Sequence, residues 1–377
     1  MKGKVVIGRN KTCFLTGLLF LALGAGWADN ESPAEPAEPK PSAPVQQTLE
    51  ESDRLSLANQ LEKALQATEQ VAVLARTEKD TAGRACANRS RALVLQALGH
   101  DDAAISAWRD TASAWESAGD GPGLIEALSS AGLLLMPEKS AEAENLFTRM
   151  LSVASGESRR PLAAAEKLHA AARSSYNRRY FDLAARFWAA AVSIDEKAAP
   201  NSLQLAEAIN GVGSVAYQEG DIEKAGQYYQ RALALRQKLA PNSLEMATSL
   251  NAVGNVARKQ GDLAKAGAYY QQALALRQKL APDSLEAASS LNSMGNLALD
   301  QGGLAAAAQY YKQSLALRQK LAPDSLAVCE SLHKLAEVVT QQGDFAAAEE
   351  YHRQALALGQ KLAPDSLDVT ASLVSLG

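Results

Sequence analysis

The sequence predicts an all-α protein, a solenoid of antiparallel helix pairs laid side by side at constant pitch. Three observations carry this expectation. The words LALRQKLAPN, LALRQKLAPD, LALRQKLAPD and LALGQKLAPD recur with their prolines, Pro241, Pro282, Pro323 and Pro364, 41 residues apart, and Pro200 extends the series backwards by one step. A fixed period of about 20–50 residues marks a stacked repeat array. Apolar residues recur at spacings of three and four throughout, and no alternating β-branched run of the strand type occurs. Finally, Gly220-Asp221, Gly261-Asp262 and Gly343-Asp344 divide the period into two helices. The glycine suits a left-handed helix end and the carboxylate caps the next helix at once.

Taken from the amino end, the chain of 377 residues opens with Lys2, Lys4, Arg9 and Lys11, followed by an apolar run from Cys13 to Ala28. That run is shorter than the roughly 20 residues a membrane span needs. Gly26-Trp27-Ala28 offers small residues at both positions a signal peptidase reads, so residues 1–28 are expected to be an export signal cleaved before Asp29. The alternative is an uncleaved anchor; no other membrane contact is expected. Residues 29–47, with proline alternating among small and charged residues, read as a semi-rigid linker. From Thr48 the texture becomes Ala/Leu-rich helix. Residues 48–160 are expected to form diverged helical hairpins, marked by Gly99 with Ala104 and Trp108 and by the run Glu142 to Phe147.

The regular unit is clearest from Ser243 to Asp283. Its first helix is expected from Ser243 to Lys259, opened by Asn242 with Glu245 in a capping-box arrangement. Its second helix follows Asp262 and runs to Leu280, where Pro282 forbids continuation. Gln301-Gly302-Gly303 lacks the capping carboxylate, which weakens that helix start by roughly 1 kcal/mol. Gly254 lies mid-helix, where glycine costs about 1 kcal/mol relative to alanine. Gly213, Gly295 and Ala336 hold the same place, which points to a close helix–helix approach. On the second helix Ala266, Tyr270 and Ala273 form a small–large–small stripe, repeated by Ala225/Tyr229/Ala232 and Ala307/Tyr311/Ser314. Residues 365–377 begin another first helix, whose Leu367, Val369, Leu373, Val374 and Leu376 lack a partner. The expectation is a longer parent protein, or self-association through this open edge.

Leu250, Val253, Gly254, Ala266, Tyr270 and Ala273 fall at the places where a tetratricopeptide repeat has its large, small and aromatic residues, and residues 161–364 resemble that family. Pro161 to Pro200 fits as a diverged copy, through Leu168, Ala172, Ala184, Trp188 and Ala191. The long period is similar to the kinesin-light-chain type. The resemblance implies a right-handed superhelix whose first helices line a concave groove. Its groove positions fall on Asn210, Asn251 and Asn292, continued by His169 and His333. A second row falls on Asn255 and Asn296, with Ser214, Glu337 and Arg173 in the other copies, and Arg258 stands near them. An asparagine amide both donates and accepts, which suits the backbone of an extended peptide. Two other readings stay open: solvated amides, or amides that fix the stacking register. The implied function is a non-catalytic scaffold for peptide or protein segments, exported to the periplasm or secreted. Such repeats also resemble those preceding caspase-like CHAT protease domains, so recruitment for a larger enzyme is the alternative.

Charge and chemistry narrow the classes further. Loss of residues 1–28 removes four basic residues and moves the net charge from −4 to −8, which argues against nucleic acid as a partner. Beyond the signal only Cys86 and Cys329 remain, too far apart in a stacked array for a disulfide. His100, His169, His333 and His352 are scattered, so neither catalytic residues nor a metal or cofactor site is expected. Cys329 and His333, four apart on one helix, read as a small buried residue and a surface group. The Arg-Gln-Lys triplets read as a solvated face near helix ends.

Overall fold

The computed structural model describes residues 35–136 and 140–362, and the described part holds sixteen helices and no strand. The expected signal segment and the further first helix at 365–377 lie outside the described residues. The chain divides into two compact units, with the boundary between Val215 and Ala216 inside one helix.

The first unit contains α1 (Ala43–Leu57) with α2 (Leu61–Thr77), α3 (Thr81–Leu98) with α4 (Asp101–Ala118), α5 (Gly121–Leu135) with α6 (Ser140–Gly156), and α7 (Pro161–Asn177) with α8 (Phe181–Ala198). Each pair packs antiparallel and each packs on the next in sequence. Three hairpins therefore precede Pro161, one more than the two that the sequence marks. The linker also ends earlier than expected. Ser42 is the N-cap of α1, and Pro44 sits in the first turn, where its missing N–H is no loss. One continuous core joins the hairpins from α3 to α8, built around Trp108, Trp115, Ile125, Leu128, Phe147, Leu168 and Phe187, while α1 and α2 meet the start of α3 through a separate small cluster of Val45, Leu49, Val71, Ala75 and Ala87.

The boundary helix is α9 (Leu203–Gln218). The second unit continues with α10 (Ile222–Leu239), α11 (Leu244–Lys259) with α12 (Leu263–Leu280), α13 (Leu285–Asp300) with α14 (Leu304–Leu321), and α15 (Leu326–Gln341) with α16 (Phe345–Leu362). Its core is a string of small local clusters, as nearest-neighbour stacking requires. The punctuation works as expected. Gly220, Gly261, Gly302 and Gly343 have φ of 85°, 82°, 77° and 82°. Asp221, Asp262 and Asp344 accept from the N–H three residues on, at 3.0, 3.0 and 3.1 Å, and Gly303 offers no such cap.

Two local expectations are corrected. The N-caps of α11 and α13 are Ser243 and Ser284, whose Oγ accept from Met246 and Ala287, each at 3.0 Å. Asn242 therefore stands one residue outside the cap. The arginines of the Arg-Gln-Lys triplets are not solvated either. Arg236, Arg277 and Arg318 are 4–5% exposed, and each Nη1 donates to the following first helix. The carbonyl acceptors are Glu245, Glu286 and Ala327, and the hydroxyl acceptors are Ser249, Ser290 and Ser331, at 2.6–3.0 Å. These Nη1 bonds offset part of the cost of burying a guanidinium, and they latch one pair to the next.

Candidate functional site

In the second unit Asn251, Asn292 and His333 occupy corresponding places on the first helices α11, α13 and α15. Asn251 and His333 are half-buried, and Asn292 is 8% exposed. The Oδ1 atoms of Asn251 and Asn292 are buried and lack a hydrogen-bond partner. In the first unit Asn210 shows the same orphaned Oδ1. An unmet buried acceptor costs about 1–3 kcal/mol, and here the cost recurs at Asn210, Asn251 and Asn292. Stability alone does not explain that recurrence.

The second row behaves differently. Asn255 and Asn296 accept from the hydroxyls of Tyr270 and Tyr311, at 2.7 and 2.8 Å, within their own helix pairs. These amides pin the aromatic ring that fills each pair, so their oxygens are engaged inside the fold. Ser214 donates back to the Asn210 carbonyl at 3.0 Å. Arg258 ion-pairs with Asp300 at 2.8 Å, and it also bonds Tyr217 and Tyr270. Burial first, tempered by Arg258, pushes the Tyr270 hydroxyl up to about 12. Arg173 pairs with Glu207 across α7 and α9.

The histidines are less scattered than the sequence suggests, and His333 is half-buried rather than a surface group. His169 is 3% exposed, and its Nε2 meets Asp195 Oδ2 at 2.8 Å while the ring stands edge-on to Trp188. It is turned into its hairpin. His333 and His352 belong to one pair, with ring centroids 5.8 Å apart. Burial and the neighbouring His333 hold His352 below the usual imidazole range. Cys329 is buried, as expected, and Cys86 and Cys329 form no disulfide. Burial pushes the Cys86 thiol up to about 12, far from a reactive thiolate. Among the described residues no group of three or more His, Cys, Asp or Glu could hold a metal.

One cluster that sequence reasoning missed spans three first helices of the first unit. Glu126 on α5 accepts from Arg89 Nε on α3 at 2.6 Å and from Lys167 Nζ on α7 at 2.8 Å. Burial alone would push the Glu126 carboxyl up, but Arg89 and Lys167 together outweigh it and hold it at about 2. The diverged hairpins do not share a strict period, so no repeated column marked these three residues in advance.

Antiparallel helix pairs, stacked in order and presenting polar first helices, define a helical-repeat protein. Residues 206–239, 245–320 and 287–361 match models of the tetratricopeptide repeat, and this part of the chain is a run of tetratricopeptide repeats. No curated protein matches the sequence. Among solved structures the apo form of RapI is similar at 15% identity and a TM-score of 0.60, covering 86% of this chain and 88% of that one. The apo quorum sensor NprR from B. thuringiensis is similar at 14% identity and 0.53, covering 83% and 87%. BtubC (BKLC) from P. vanneervenii shows 19% identity and 0.41, covering 70% and 90%. At these identities the likeness to RapI and NprR is one of fold.

Proposed function

We propose that the protein is an exported, non-catalytic scaffold that holds extended peptide or protein segments against the first helices of its repeats. The observation that carries this is the pair of orphaned amides in the second unit, Asn251 and Asn292; Asn210 of the first unit shows the same unmet oxygen. An asparagine side chain can turn its amide over, presenting either a donor or an acceptor to a peptide backbone. The Asn255 and Asn296 row supplies rigidity instead. Export rests on the basic start, the apolar run and Gly26-Trp27-Ala28, and sequencing the amino end of the released protein tests it: Asp29 should be first.

For binding, peptides selected from a random displayed library on the native chain supply the probe. Asn251→Ala with Asn292→Ala should weaken the selected peptide at least tenfold in titration calorimetry, with the melting temperature within a few degrees, because these oxygens bond nothing in the fold. Asn255→Ala should instead lower stability by about 1–3 kcal/mol, since it removes the acceptor of the Tyr270 O–H. Unchanged affinity together with a large stability loss in the double variant would refute the assignment.

A further inference from the structure

The proline-rich segment preceding α1 does not run free. Both carboxylate oxygens of Glu35 accept backbone N–H groups at the start of α7: one from Leu162, the other from Ala163 at 3.0 Å. At the segment's other end the Ser42 N–H donates to Asp80 Oδ2 at 2.7 Å, and the Ser42 hydroxyl donates to Glu78. Asp80 is the N-cap of α3, and its other oxygen still serves Gly83 at 2.7 Å. Residues 35–42 therefore cross from the amino end of α7 to the amino end of α3. Between them stands the amino end of α5, whose cap Asp120 is paired with Arg160.

The dimensions agree with an extended docking. Seven steps at about 3.1 Å each, the rise of a polyproline helix, reach about 22 Å. Two interhelical steps of about 8–10 Å each need roughly the same. Pro36, Pro39 and Pro41 hold the segment extended beforehand, so little chain entropy is lost on docking.

The chemistry is selective as well. Helix α7 has Arg160 at its N-cap position, with no side-chain capping bond, and Pro161 follows. Its first free N–H groups take a carboxylate that is 127 residues away in sequence. A carboxylate at a helix start also meets the positive end of the dipole. Glu38 stands near the inner cluster: Arg89 is held protonated chiefly by Glu126, and the Glu38 charge adds to this. The residues that meet Glu35 and Ser42 belong to the end of α2 and the starts of α3 and α7, outside the asparagine columns.

We propose that the edge formed by the amino ends of α3, α5 and α7 is a recognition surface for extended Glu-Pro segments, and that residues 35–42 occupy it in cis. A partner of the same chemistry, an acidic proline-rich stretch of another chain, must displace this strap to bind. The surface is thereby gated by the chain's own linker.

The test uses the full chain and its Glu35→Ala/Glu38→Ala variant. Hydrogen exchange should be at least tenfold faster in the variant at Leu162 and Ala163, and unchanged over the rest of α7. Equal exchange in the two chains overturns the docking. Loss of protection along all of α7 overturns recognition, because the strap would then be part of the fold. The second measurement titrates a fluorescein-labelled copy of residues 35–42. A short tether gives an effective concentration on the order of millimolar, so a segment docked in cis should bind in trans by about 5 mM. The variant chain should bind it at least tenfold more tightly than the native chain. A scrambled peptide of the same composition should bind at least fivefold more weakly. Equal uptake by both chains, no uptake by either, or equal binding of the scrambled peptide would overturn the proposal.

Discussion

Helix propensity and packing make opposite forecasts for Gly254→Ala. In an exposed helix interior the change stabilises by about 1 kcal/mol. Here the added Cβ would stand 2.6 and 2.7 Å from Cε1 and Cδ1 of Tyr270, well inside the ~3.5 Å at which carbon atoms rest. The ring would have to move by about 1 Å, yet it is fully buried, between Ala266 and Ala273, and its hydroxyl is held by Asn255. Overpacking of this kind costs about 1–3 kcal/mol, and straining the hydroxyl bond costs about 1 more. The expected net effect is a loss of about 1–3 kcal/mol. Urea unfolding of the full chain, followed by circular dichroism, measures it as a fall in midpoint at constant slope. The same substitution in a Tyr270→Leu background should be neutral or stabilising, because the ring is gone. The chain carries a natural counterpart: the corresponding places in the last pair hold Ala336 and the smaller ring of His352. A gain in stability for Gly254→Ala in the native background would refute the close-approach argument.

Other outcomes follow from the same geometry. Gly303→Asp restores the cap that Asp262 supplies in the preceding pair, at the same backbone conformation, and should raise stability by a few tenths of a kcal/mol in the same unfolding assay, the added Cβ fitting 3.3 Å from the Ala298 carbonyl oxygen. Glu126 has its carboxyl depressed from 4.5 to about 2, so its stabilising contribution is fully present above about 4.5 and is lost as pH falls through about 2. By linkage that contribution is on the order of 3 kcal/mol. Acid titration of unfolding should show stability declining across this window, and Glu126→Gln should flatten the decline. The variant should also be weaker at neutral pH by roughly 3–5 kcal/mol, since Arg89 and Lys167 lose their shared partner.

Much of the second unit was legible because near-identical copies repeat the same physical demands. Gly261, Asp262 and Gly254 each reveal their role by recurring where a turn, a cap or a close approach is needed. The N-cap was misplaced by one residue because Asn242 and Ser243 are both good capping residues. Only the extended backbone at Ser243, φ −126° and ψ 164°, decides between them. The arginine latch was legible in principle, through Arg236, Arg277 and Arg318 recurring with Ser249, Ser290 and Ser331. It was misread because a charged triplet near a helix end resembles a solvated face. In the candidate site the sequence placed both asparagine rows but could not tell them apart. The rows separate only when the Tyr270 and Tyr311 hydroxyls are seen to reach one of them.

By itself the sequence determined the helix pairs, their period and their punctuation, since these follow from local backbone preferences and from apolar spacing along a single segment. The tertiary structure alone decided which polar groups face one another: Glu126 between Arg89 and Lys167, His333 beside His352, and Glu35 at the start of α7. Those contacts join residues from different helices, and a one-dimensional pattern carries no information about a pairing that does not repeat.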